Sequence, residues 1–160
     1  MDIGSLIDRL VGLVDEFDPA SLVPQLNTVI GWVETFARLC VMAAPLLLLG
    51  LGLWYLFMPP KEANYSAGYR FYFGMGSIEA WRFTQRLAGM AWTVLGLILT
   101  VIMALICIGF RGMDAVDMAS TALSCVLWEL GLIAVCCIAI NVTVALCYDK
   151  DGNRRDWNRR

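Results

Sequence analysis

Reactive side chains are scarce in this chain. It has six cysteines and no histidine, and no two cysteines form a CxxC pair. A zinc site normally needs clustered cysteine and histidine ligands, so we expect no metal and no cofactor. No nucleophile has an evident base beside it, so we also expect no catalytic activity. All six cysteines lie in or at the edges of apolar runs, where cysteine packs as a small hydrophobe: Cys40, Cys107, Cys125, Cys136, Cys137 and Cys147.

An acid and an amide, Glu129 and Asn141, stand in the last apolar run, and they form a possible polar membrane site. An acid inside a bilayer is costly and suggests function by default. Counting back about twenty residues from Asp149, the length of one crossing, brings Glu129 near the opposite membrane surface. We therefore predict that Glu129 lies at a wet helix end, and the alternative is that it serves a function. Asn141 is a modest polar group that can hydrogen-bond across helices.

A polar and aromatic loop separates the first two apolar runs. Gly68 permits a tight bend, and Arg70 has a planar fork of donors suited to a carboxylate, a lipid phosphate or helix-end carbonyls. Two interpretations stay open, a loop pinned against the helix ends and a contact site for a lipid headgroup or protein partner. The candidate residues of this loop and the helix after it are Asn64, Gly68, Tyr69, Arg70, Glu79 and Trp81.

Composition and apolar runs decide the fold class. Hydrophobic residues make up 59% of the chain and charged residues 16%, against about half and about a quarter in soluble domains. Runs at 39–58, 87–110 and 118–148 are each long enough to cross a bilayer. Pro59 and Pro60 should stop the first helix, and Ser77 followed by Glu79 indicates the start of the next. The sequence predicts an all-α protein with three transmembrane helices, in which residues 118–128 are an interfacial extension or tilted turns.

Glycine spacing predicts close helix packing in the second run. Gly89 and Gly96 lie seven residues apart, which is about two helical turns, so they share one face of the helix and another helix can approach that face closely. The approaching helix could belong to the same chain or to a second copy.

The N-terminal segment, residues 1–38, reads as two amphipathic helices. Residues 1–17 place apolar side chains at helical spacing, Asp18-Pro19 breaks the pattern, and a second stretch runs to residue 38. Such helices lie on a membrane surface or pack on their own bundle, or they form a docking surface for another protein.

Positive residues predict the orientation in the cell membrane. The side that holds the 59–86 loop and the basic tail at 149–160 has nine: Lys61, Arg70, Arg82, Arg86, Lys150, Arg154, Arg155, Arg159 and Arg160. The other side has three: Arg9, Arg38 and Arg111. Because lysine and arginine are retained inside, we predict the N-terminus outside and the loop and C-terminus in the cytoplasm. Membrane lipids are then partners, and without a basic aromatic stripe we expect no nucleic acid.

The stretch PPKEANYSAGYRFYFGMGSIEAWRFTQRLAGMAWTVLG resembles the SdpI family of small membrane proteins. The matching features are a proline stop, an asparagine, a GYR triplet, a tryptophan at the next helix and two glycines along it: Pro59, Pro60, Asn64, Gly68, Tyr69, Arg70, Trp81, Gly89 and Gly96. The chain departs from the pattern at Phe71, where a hydroxyl residue is usual, and at Gln85, where an asparagine is usual. Either change could alter the hydrogen bonding of the loop.

The resemblance implies a three-helix membrane domain at 39–148 that gives immunity to a secreted peptide toxin or senses it. We expect a membrane-active peptide as partner. The alternative is an accessory subunit or assembly factor of a larger membrane complex, with residues 1–38 as the docking element. A homo-oligomer is compatible with either.

Overall fold

The computed structural model describes residues 19–61 and 68–155, with side chains from residue 28 onward. These residues form three long helices, α1 (Pro19–Phe57), α2 (Ile78–Gly109) and α3 (Ala115–Cys147), and a short 3₁₀ helix at Tyr72–Met75. The described residues contain no strand, so the all-α prediction is confirmed. The amphipathic helix predicted at 1–17 lies outside the described residues.

Helix α1 combines the second amphipathic stretch and the first apolar run. It continues without interruption through residue 38 and through Pro45, and it ends at Phe57. Neither Pro59 nor Pro60 has an amide hydrogen to donate, so the helix cannot extend through them. The predicted proline stop is confirmed.

Helix α2 begins at Ile78, well before the apolar run at 87–110. The Ser77 side chain accepts a hydrogen bond of 3.1 Å from the backbone N–H of Ala80, and Glu79 lies in the first turn. The N-terminal cap predicted from Ser77 and Glu79 is therefore confirmed. Its early start gives α2 two polar turns ahead of its apolar segment.

Helix α3 and the residues after it close the bundle. Gly112 has a positive φ of 84° in the short turn that joins α2 to α3, a backbone conformation that favours glycine. The predicted extension at 118–128 and the rest of the run form one uninterrupted helix. After α3 the chain turns back, and the N–H of Arg155 donates to the carbonyl of Cys147 at 2.9 Å.

All three helices are long and apolar enough to cross a membrane: Thr28–Phe57 within α1, Ile78–Gly109 and Ala115–Cys147. Each is longer than the hydrocarbon core of about 30 Å, so it tilts or extends into the headgroup layer. Their outward faces are rich in exposed leucine, isoleucine and valine, which suits lipid and not water. The chain is a multi-pass membrane protein.

Glycines bring α1 and α2 into close antiparallel contact. A methyl group on Gly96 would lie 2.6 Å from the backbone nitrogen of Leu49, and one on Gly89 would lie 3.0 Å from that of Leu56. Only a residue without a side chain allows such an approach. The predicted role of Gly89 and Gly96 is confirmed, and the approaching helix belongs to the same chain.

Two clusters of buried residues divide the bundle into two ends. The loop end carries residues 68–77 and the chain after α3, and its core includes Tyr55, Ala88 and Val144. The turn end carries residues 110–114, where α2 passes into α3, and its core includes Phe110 and Met118. The candidate site residues fall on both sides of this division.

Candidate functional site

At the loop end, Tyr69 is held through its backbone by Gln85 of α2. The N–H of Tyr69 donates to Gln85 Oε1 at 2.8 Å, and Gln85 Nε2 donates to the carbonyl of Tyr69 at 2.8 Å. Gln85 is fully buried. One side chain thus satisfies both backbone groups of a loop residue, which fixes the loop on the helix.

The Tyr69 side chain reaches α3. Its hydroxyl donates to Asn141 Oδ1 at 2.8 Å and lies 3.3 Å from the carbonyl oxygen of Cys137. The Trp92 ring contacts the Tyr69 ring edge-on, with centroids 5.4 Å apart. Burial is the main reason that the pKa of Tyr69 rises to about 12, and the neighbouring Cys137 raises it further. Tyr69 therefore joins the loop to both α2 and α3.

Trp81 contacts the loop at two points, Pro60 and Gly68. Its ring is fully buried, and its Nε1 donates to the carbonyl of Pro60 at 2.9 Å. Gly68, with φ of 118°, lies against the ring, and a methyl group there would lie 2.7 Å from Trp81 Cη2. The positive φ and the close ring both require glycine at this position.

The chain after α3 packs on the start of α2. Ser77 Oγ donates to the carbonyl of Gly152 at 2.8 Å, and Glu79 and Tyr148 line one cavity of about 320 Å³. Burial first, and then the charge of Glu79, raise the pKa of Tyr148. The pKa of Asp149 is lowered, first by the hydrogen bond that its carboxylate accepts from the Asn153 N–H at 2.8 Å.

Glu129 occupies a different setting. It is fully buried near the middle of α3, so our expectation of a wet helix end was wrong. Neither of its carboxylate oxygens has a hydrogen-bond partner among the described residues. The error arose because the apolar run was placed against the membrane by length alone, whereas the rotation of α3 turns Glu129 toward the other helices.

Glu129 and Asn141 do not form one site. Twelve residues separate them, or roughly 18 Å along the helix axis. Asn141 belongs to the loop end through Tyr69, while Glu129 lies toward the turn end. Arg38 is also on the turn-end side, where it pairs with Glu34 and leaves its Nε buried without an acceptor among the described residues.

The structure brings Gly68, Tyr69, Trp81 and Asn141 together at the loop end. Arg70 is exposed beside them, and Asn64 lies outside the described residues. Gln85 was missed as a site residue and was noted only as a departure from the family pattern. Its spacing from Trp81 and Gly89, four residues each way, is a signal that could have revealed its inward face.

Comparison with known proteins found one matching protein family. The family model described as "SdpI/YfhL protein family" matches residues 61–147, which is more than half of the chain. The match includes the loop, all of α2 and all of α3. No curated protein and no solved structure matches the chain. The GYR loop is hydrogen-bonded to α2 and α3, and the family match covers the loop and both helices. The chain belongs to the SdpI/YfhL family.

Proposed function

We propose that this membrane protein gives its cell immunity to a membrane-active peptide or senses such a peptide. The observation that carries the proposal is the family match over residues 61–147, since the resemblance of the GYR loop implies this role. A peptide of this kind partitions into the bilayer, so a small multi-pass protein can meet it within the membrane.

A groove between α1 and α3 is the surface that best suits an apolar peptide. It has a volume of about 350 Å³ at the turn-end side, and its lining is apolar: Val33, Phe36, Ala37, Cys40, Ala119, Ala122, Leu123 and Val126. Phe36 is 69% exposed at its edge. Large apolar side chains of a peptide could bury there in place of lipid.

Two exposed carboxylates at the start of α3 favour a cationic peptide, and the exposed Arg111 at the same end opposes them in part. Asp114 and Asp117 lie at the start of α3, and both are exposed. In the orientation that we propose, with the N-terminus outside and the C-terminus in the cytoplasm, these carboxylates face the exterior. A cationic, amphipathic peptide would therefore approach the turn end first.

Glu129 is a second feature of the turn-end half of the bundle that suggests a function. A buried carboxyl without a partner is destabilising, and such residues inside membrane helices commonly serve function. We propose that Glu129 contributes to the response to the peptide rather than to the stability of the bundle.

The test is sensitivity to peptides in cells. Deleting the gene should make cells that normally carry it sensitive to a membrane-active peptide, and restoring the gene should restore resistance. Ala119→Trp, which fills the groove, should fail to restore resistance. Ala134→Trp is the matched control, because Ala134 is an exposed alanine of the same helix that does not line the groove. Unchanged sensitivity across a panel of cationic and neutral peptides would contradict the proposal.

The second candidate is an accessory subunit or assembly factor of a larger membrane complex. Exposed aromatic residues on the first part of α1 favour it, since Trp32 is 71% exposed and Phe36 69%, and residues 1–38 would be the docking element. Purification in mild detergent separates the two candidates. A stable partner protein would support the complex, whereas a monomer or simple homo-oligomer would support the first candidate.

A further inference from the structure

A second cavity lies at the loop end, between the end of α1 and the first turns of α2. Its volume is about 270 Å³, and its lining consists of two prolines and three cations: Pro59, Pro60, Lys61, Arg82 and Arg86. The cations come from two segments of the chain that are separate in sequence. Neither the family match nor the proposed function accounts for their convergence.

The positive charge of this cavity is not neutralised within the described residues. No ion pair joins Lys61, Arg82 or Arg86 to a carboxylate there. Glu79 lines a neighbouring cavity with the two arginines, but it forms no ion pair with them. Three cations around one concavity repel each other, so an anion between them is favoured.

The two walls of the cavity are fixed relative to each other. Trp81, next to Arg82 in α2, donates its indole N–H to the carbonyl of Pro60 at 2.9 Å, next to Lys61. The tandem prolines restrict the backbone of the opposite wall. The cations are therefore held near one another before any ligand arrives, which lowers the entropy cost of binding.

The depth of the cavity matches the headgroup layer. Arg86 immediately precedes the uncharged segment at 87–110, and Pro59 immediately follows the uncharged segment at 39–58. On both sides of the cavity, the uncharged membrane segment therefore begins at the residue next to a lining residue. An anion bound there lies at the level of phospholipid phosphates, with exposed apolar side chains such as Phe57 and Met90 nearby on the same helices for the acyl chains.

We propose that this cavity binds the phosphate of an anionic phospholipid. The planar arginine guanidinium groups suit phosphate oxygens. Phosphatidylglycerol should be preferred to zwitterionic phosphatidylcholine, because its neutral glycerol headgroup leaves the phosphate charge uncompensated, whereas the choline cation offsets it and would be repelled by the cavity. The bound lipid would stabilise the loop end, because its phosphate bridges α1 and α2.

The experiment uses the full-length protein in nanodiscs that contain phosphatidylcholine with increasing phosphatidylglycerol. Retained lipid is measured by native mass spectrometry, and thermal unfolding is measured in parallel. Phosphatidylglycerol should be enriched around the protein and should raise the unfolding temperature. Inorganic phosphate at matched concentration should neither displace the lipid nor reproduce the stabilisation.

Two charge-matched double variants locate the binding. Arg82→Gln with Arg86→Gln should weaken the preference for phosphatidylglycerol by about fivefold for each cation removed, or roughly 25-fold together. Lys150→Gln with Arg154→Gln removes two exposed cations from the same end that do not line the cavity, and it should leave the preference nearly unchanged. If the first variant fails to fold, Lys61→Gln alone should still lower the preference about fivefold.

Three results would overturn the proposal. These are equal retention of phosphatidylglycerol and phosphatidylcholine by the unmodified protein, equal losses in the two double variants, and displacement of the lipid by inorganic phosphate. The last result would assign the cavity to a free anion instead of a lipid. None of these measurements depends on peptide resistance, so they test the cavity separately from the proposed function.

Discussion

The buried side-chain amides of the loop end and the buried acid toward the turn end differ in whether they have hydrogen-bond partners, although the Trp92 indole nitrogen near Tyr69 also has none among the described residues. At the loop end, the side-chain amides of Gln85 and Asn141 have partners within 2.8 Å. Toward the turn end, both oxygens of Glu129 lack partners among the described residues. Satisfied buried groups add rigidity and specify one arrangement, whereas unsatisfied groups reduce stability. The comparison indicates that the hydrogen bonds of Gln85 and Asn141 stabilise the loop end, whereas Glu129 gains no hydrogen bond from the described residues.

The largest effect is expected from breaking the Gln85 clamp. Gln85→Leu removes both hydrogen bonds to the Tyr69 backbone and leaves a half-buried N–H and carbonyl unpaired, so we expect a loss of roughly 2–4 kcal/mol. Thermal unfolding in detergent measures it. Gln85→Asn, a shorter amide, should retain part of the stability. Equal stability of the Leu and unmodified forms would show that the clamp does not hold the loop.

Next comes the contact between α1 and α2. Gly96→Ala places a methyl group against the Leu49 backbone and should destabilise the protein by roughly 1–3 kcal/mol through overpacking. Gly131→Ala is the matched control in a helix, because nothing lies within 4 Å of a methyl group there. We expect that control to be neutral or slightly stabilising. Similar losses in both variants would contradict the packing that we describe.

A pair of substitutions in α3 tests the two regions directly. Asn141→Leu removes the acceptor of the Tyr69 hydroxyl and should cost about 1 kcal/mol. Glu129→Leu replaces an unpaired acid with a residue of similar size and should be neutral or stabilising. Unfolding temperatures measured side by side give both signs. A marked loss of stability in Glu129→Leu would mean that Glu129 has a structural partner and would break the comparison.

Resistance to a peptide can be compared between the same two variants, Glu129→Leu and Asn141→Leu. If Glu129 serves the response to a peptide, Glu129→Leu should lose resistance while it keeps its stability. Asn141→Leu should lose resistance only in proportion to the folded protein that remains. Folded protein is measured by detergent-solubilised yield in the same cells.

The last effect appears only on alkaline titration, far above neutral pH. The pKa of Tyr69 is raised to about 12, above its ordinary value of about 10. A raised pKa in the folded state means that the stabilisation is fully present below about pH 10 and is lost as pH rises toward about 12. Tyr69→Phe should therefore show a shallower fall in stability over this window. Absorbance of tyrosinate measures the ionisation, and identical pH profiles would contradict the assignment.

Much of the architecture could be predicted from local chemistry. Pro59 and Pro60 ended α1, Ser77 capped α2, and Gly89 and Gly96 marked the close face, because each effect depends on a residue and its immediate backbone. The partners within the candidate site could not be predicted. Tyr69 and Asn141 are 72 residues apart, and nothing in the local sequence pairs them.

The sequence by itself determined the class of protein, the number of crossings, the end of α1 and the start of α2, because uncharged length, a proline stop and an N-terminal cap are properties of short segments. Only the tertiary structure decided that Gln85 faces the loop and that Glu129 faces inward. In α3 apolar residues surround the helix on all sides, so periodicity gives no preferred inner face. The rotation of such a helix is fixed by the shapes of the helices packed against it.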